Sequence, residues 1–217
     1  MHVPTKRRRV RRENLGLDAQ TFAQLAALTS PPQVQAFVNA IPANFEADGE
    51  TVRSVQGVLA QRRAHCIEGA LVAACALWIH GDPPLLMHLD CVLGDYPHVV
   101  ALFRRGRHWG AVSKSNHAVL RYRDPVYRSL RELAMSYLHE FRDDAGHKTL
   151  RSYSRAFDLR AVAVTAWVTS EAGCWEVHDR LAARRHYALL TAAQARGLVD
   201  ADACEMRAAT IVDFDPP

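Results

Sequence analysis

The chain has 217 residues, 49% of them hydrophobic and 23% charged, which suits one large folded domain and excludes general disorder. Its net charge of +4 is unevenly placed: six of the 27 basic residues and no acid fall within residues 1–12, so the remaining body is not basic and is not a nucleic-acid-binding surface by composition. Five cysteines, an odd count without a C-x-x-C, exclude a disulfide framework or a zinc ribbon and suit reduced thiols.

Residues 1–14, which include KRRRVRR, read as a basic disordered tail, and 15–217 as a single domain with its core at about 51–170. Any contact with nucleic acid is expected through that arm alone. No apolar run approaches the length of a transmembrane helix, and the charged N-terminus lacks the apolar stretch of a secretory signal, so a cytoplasmic protein without membrane contact is expected.

Leu17–Leu28 reads as a short helix with Asp18 as N-cap. In SPPQVQAFVNAIP the prolines Pro31 and Pro32 open a second helix and Pro42 ends it. Asn44–Thr51 is a polar loop, and Val52–Arg63 a third helical segment. The stretch QRRAHCIEGALVAACALWIH then places Cys66 at the start of an almost charge-free helix that stops at Gly81. From Pro84 the period changes. Pro84–Leu93 and His98–Phe103 read as strands, Arg104–His108 as a Gly-containing connection, and the stretch from Trp109 as returning strand, together an antiparallel hairpin. Tyr122–Pro125 is a turn, Ser129–Phe141 a helix, Asp143–Arg155 a polar loop, Ala161–Val168 a strand, and Cys174–Arg185 and Ala192–Arg196 helices. Helices, a cysteine helix packed on an antiparallel sheet, and further helices make an α+β protein.

A cysteine in the first turn of a helix meets free N–H groups and the positive end of the dipole, which favour a thiolate. Such a sulfur works as a nucleophile when a base lies within hydrogen-bond reach and a third group orients that base. Otherwise Cys66 is one more small buried side chain. Of the histidines, His98 opens the best strand and ranks first as base. His65 adjoins Cys66, and on a helix two such side chains diverge by about 100°. Glu68, inside the apolar helix, either pairs with an arginine or faces water.

The order of these parts resembles the transglutaminase-like superfamily, the papain-fold branch that includes bacterial transglutaminase-like cysteine hydrolases. The resemblance is carried by AHCIEGA, by HVVALF, and by Trp109 eleven residues after His98, and it covers roughly Thr51–Asp124. It implies Cys66 as nucleophile and His98 as general base of a peptidase, amidase, deamidase or acyltransferase, acting on a peptide or other amide-bearing substrate without a cofactor. The family's acid after the tryptophan is missing, since the segment reads GAVSKSN. Pairing Arg104 with Arg107 would set His98 opposite Ser113; pairing Arg104 with His108 would set it opposite Lys114, with Asn116 on its own face. Asn116 is preferred as the third member, as in Cys-His-Asn sites, with Ser113 second and Asp124 third. Gln61 is the candidate oxyanion donor beside the Cys66 N–H. Arg62, Arg63 and Trp109 are candidate substrate contacts, the two arginines alternatively forming a solvated helix end.

Two rivals remain. Cys66, His88, Cys91 and His98 supply metal-ligand chemistry, although His88 and Cys91, three apart on a strand, point to opposite faces. Alternatively the site is degenerate, and Arg62, Arg63, Arg104, Arg105, Arg107 and the basic arm recognise an acidic partner.

Overall fold

A computed structural model describes residues 9–47 and 49–216. The first three residues of KRRRVRR therefore lie outside the described residues. The expected tail ends earlier than residue 14, because Arg12–Leu15 forms a helical turn (α1) that buries Leu15. Helix α2 (Ala19–Ala26) starts at Asp18, whose carboxylate accepts the Thr21 N–H at 2.9 Å, and α3 (Pro31–Asn39) carries its prolines in the first turn. Helix α4 (Val55–Gln61) is capped by Ser54, and α5 (Cys66–Ile79) follows.

Strands β1 (Leu85–Cys91), β2 (His98–Arg105), β3 (His108–Ser113) and β4 (Arg123–Tyr127) precede α6 (Leu130–Met135). After them come β5 (Leu150–Ser154), β6 (Phe157–Asp158), α7 (Trp175–Ala182), β7 (His186–Ala188), α8 (Ala192–Arg196) and α9 (Ala203–Ala209). The strands form one antiparallel sheet in the order β4-β3-β2-β1-β5-β7, with β6 beside the start of β1. The protein is thus α+β, and among the described residues no helix is long and apolar enough to cross a membrane.

Alternation along the strands builds two cores. Leu86, Val99, Ala101, Phe103 and Val112 face the layer that holds α5. Met87, Leu89, Val100, Leu102, Ala111 and Leu150 face Leu133, Tyr137 and Phe141 on the other side. Helix α5 is apolar all round and, apart from Cys66 and Trp78, buried along its length between α2–α4 and the sheet, which is the environment such a helix requires. Gly69 allows its first turn to press on the end of β3: a Cβ there would stand 2.4 Å from Lys114 Cβ.

Several expectations are corrected. AVAVTAWV is no strand; it begins at the end of one 3-10 turn (Leu159–Ala161) and contains another (Val164–Ala166), and the Trp167 and Val168 carbonyls accept the first N–H groups of α4. This alternating segment pairs with no strand of the sheet among the described residues. The polar loop contains β5, whose Ser152 and Ser154 hydroxyls bond Asp90 and the His88 N–H of β1 and so satisfy polar groups inside the sheet. The turn expected at Tyr122–Pro125 lies largely within β4, an edge strand that tolerates Pro125.

Candidate active site

Cys66 is the first residue of α5 and is half-buried. The residue before it, His65, is the N-cap with an extended backbone (φ −99°, ψ −170°), and Glu68 accepts the His65 backbone N–H at 3.1 Å. Because an N-cap is not helical, the separation expected of neighbours on a helix does not apply, and the His65 ring and the Cys66 thiol lie near enough to shift each other's proton affinity.

His98 opens β2 and is 6% exposed; pairing with Leu89 holds its backbone. The β2–β3 register differs from both expectations. Arg105 pairs with His108 across a two-residue loop in which Gly106 has φ +60°, so Val100 pairs with Ser113. Ser113 thereby becomes the diagonal neighbour of His98 on the same face, within reach of the ring. The Ser113 Oγ lies 2.7 Å from His98 Nε2 and donates its own proton to the Leu120 carbonyl at 2.5 Å. A carbonyl only accepts, so Ser113 must accept from His98 Nε2–H. That fixes the tautomer and leaves Nδ1 as the nitrogen that can meet Cys66, whose thiol this ring helps to lower.

The Ser113 backbone is itself clamped. Gln35 of α3 accepts its N–H at 2.9 Å and donates to its carbonyl at 2.7 Å. Leu120 is held with φ +58°, a conformation unusual for a branched side chain, and its N–H donates to Glu140 Oε2 at 2.8 Å. Glu140 also pairs with Arg123 at 2.7 Å, so the acid nearest this network acts on the backbone of Leu120 and not on the imidazole.

Burial alone would raise the Cys66 thiol, but hydrogen bonds from His65 and His98 and the charges on both rings bring it down to about 5. Cys75, Cys91 and Cys174 go the other way, pushed by burial up to about 12. For His65, burial disfavours the imidazolium, but the hydrogen bond and charge of Cys66, with Glu68 and the Thr51 carbonyl, raise it to about 9. These groups open on a cleft of about 500 Å³ whose lining includes His65, Cys66, His98, Phe45 and Tyr96.

The remaining sequence candidates are placed elsewhere or otherwise engaged. Asn116 lines the cleft, but its amide donates to the Phe214 carbonyl at 2.9 Å and accepts the Phe214 N–H at 3.0 Å; Ser113 is the side chain that reaches His98. Asp124 is exposed on the edge strand β4. Gln61 is exposed and faces a separate cavity bordered by residues 169–173, because α4 turns it away from the start of α5. Arg62 caps α4 in the left-handed region (φ +55°), and neither it nor Arg63 lines the cleft. Trp109 pairs with Arg104 at the far end of the hairpin, beneath that guanidinium at 4.7 Å. Nor do the arginines form one cluster, since Arg105 pairs with Asp82 at 3.1 Å. The rival metal grouping is not assembled: His88 Nδ1 lies 2.8 Å from His186 Nε2, and among the described residues no three His, Cys, Asp or Glu converge as ligands.

Of the two alternatives read for Glu68, an arginine pair is the one found, while its place behind His65 was not foreseen. Glu68 is fully buried, pairs with Arg53 at 3.3 Å, and accepts from Thr51 and Asn44 of the preceding loop. The signal lay in the spacing of His65 and Glu68, an N-cap residue and an acid three positions on. No protein-family model matches the chain, and no curated protein sequence is significantly similar to it.

Proposed function

We propose that the protein is a cysteine-dependent acyl-group enzyme of papain-like, transglutaminase-like type, with Cys66 as nucleophile, His98 as proton carrier and Ser113 as the group that orients His98. One observation carries the reading: a thiol at the start of a buried helix shares a cleft with an imidazole whose outer nitrogen is anchored by a fixed acceptor. The chain order of nucleophile, base and orienting group supports it as well.

The Cys66 thiol passes its proton to His98 Nδ1, the thiolate sulfur attacks the carbonyl carbon of an amide, and the carbonyl π electrons move to oxygen. The oxyanion forms beside the start of α5, where the Cys66 N–H and the helix dipole favour negative charge. Collapse restores the carbonyl and expels the amine, which takes a proton from His98 Nδ1 and leaves a thioester. Water or a second amine then gives a proton to His98 as it attacks the thioester, and sulfur leaves as thiolate. Hydrolysis, deamidation and acyl transfer share every step up to that second nucleophile.

The test is turnover of a panel of fluorogenic peptide amides, with and without a primary amine acceptor. Cys66→Ala is expected to abolish turnover, and His98→Ala to lower kcat by about 10²–10⁴-fold with little change in fold. Turnover that survives Cys66→Ala would overturn the reading.

A further inference from the structure

A thiolate needs a neighbouring cation, and the anchor of His98 is a neutral hydroxyl, that of Ser113. His65 is placed differently. Its Nε2 lies 2.7 Å from the Thr51 carbonyl, which only accepts, so that nitrogen carries a proton. The same nitrogen stands 3.6 Å from Glu68 Oε1 and 3.6 Å from Glu46 Oε1. Glu68 is an acceptor at both oxygens. Oε1 takes the Thr51 hydroxyl at 2.8 Å, the Arg53 N–H at 2.9 Å and the Arg53 guanidinium at 3.3 Å; Oε2 takes the His65 N–H and Asn44 Nδ2, each at 3.1 Å. The titratable and charged groups facing the ring are thus Cys66 and Glu68 of α5, Glu46 of the preceding loop, and His98 and Arg53 close by.

Resting on the acyl-enzyme reading above, we propose that the site divides its work between two imidazoles: His65, backed by Glu68 and Glu46, is the standing cation that keeps Cys66 a thiolate, and His98 does the proton transfers. His65 touches the reacting sulfur and is a catalytic residue in this sense. It stays protonated through the cycle and exchanges no proton with substrate, so every step written for His98 is unchanged. The raised position of His65 agrees with this division, while the lowered position of Cys66 draws on both rings.

The division is read from the pH profile of Cys66 alkylation by iodoacetamide, followed on the Cys66 peptide by mass spectrometry so that the other thiols do not interfere. In the full-length protein the midpoint is expected near pH 5. His65→Gln, which keeps a donor for the Thr51 carbonyl, is expected to raise it by two or more pH units. Glu46→Gln, on a partly exposed carboxylate whose loss threatens the fold less, is expected to raise it by a few tenths. His98→Ala is expected to leave a midpoint below pH 7 while turnover collapses. A midpoint that jumps in His98→Ala and stays put in His65→Gln overturns the division but not the acyl-enzyme reading. A low midpoint in every variant also overturns the division. An ordinary midpoint near 8.5 in the unmodified protein overturns both.

Discussion

At the scale of single residues, the site is a thiol whose charge is set by two rings with different backing. The thiol is held low in the folded chain and sits near its ordinary value when unfolded, so its contribution to stability is fully present above the unfolded value and fades as pH falls through about 5. The raised imidazole of His65 has the opposite sense: its contribution is fully present below about 6.5 and is lost as pH rises through about 9. The excess of wild-type Tm over that of Cys66→Ser is therefore expected to shrink between pH 7 and pH 4, a comparison made by calorimetry in matched buffers. A second residue-scale prediction concerns Asn116. Its amide holds Phe214 of the C-terminal segment and not His98, so Asn116→Ala should leave the Cys66 alkylation midpoint unchanged while speeding proteolysis within residues 203–216. His65 escaped sequence reasoning because helical geometry was applied to it, although it lies just outside the helix as its cap. Cys66 and His98, in contrast, were legible, since each begins an element with a clear period.

At the scale of elements, the register of the β2–β3 hairpin decides which side chain meets His98. Two residues in the loop, with Gly106 in the left-handed region, set Ser113 opposite Val100; the five-residue stretch RRGRH allows other alignments, so sequence alone left the third member open. Helix α3 adds what the hairpin lacks there, because Gln35 bonds both backbone groups of Ser113 much as a further strand would. Gln35→Ala strips partners from two buried backbone groups. It is expected to cost about 1–3 kcal/mol in urea unfolding and to lower kcat through a loosened Ser113. Gly69 is the matching constraint on α5. With a Cβ at 2.4 Å from Lys114 Cβ and 2.8 Å from its Cγ, Gly69→Ala must push the helix start and the end of β3 apart, at a cost of about 1–3 kcal/mol measured the same way. The cysteine helix and the hairpin were readable from periodicity. Strand β5 was not, since LRSYS shows no apolar alternation; its hydroxyls are satisfied within the sheet by Asp90 and the His88 N–H.

Across the whole molecule, the cleft is closed by pieces far apart in the chain. The loop around Asn44 and Thr51 backs His65, the 113–121 segment backs His98, and Met206 with Thr210 lines the cavity from the C-terminal side. That α+β architecture followed from the order of periodic segments. Which loops would meet at the cleft did not, because such meetings depend on the sheet order β4-β3-β2-β1-β5-β7 and leave no local mark.

Helix α5 has no watery face, so it is settled only when the sheet and the α2–α4 layer enclose it together. Its leading atom of interest inherits that condition. A nascent chain that has not yet brought its later strands into place carries a dull sulfhydryl at position 66, indifferent to bystander carbonyls, and acquires its bite only on maturing. Chemical reactivity at this one position is consequently a gauge of completed assembly.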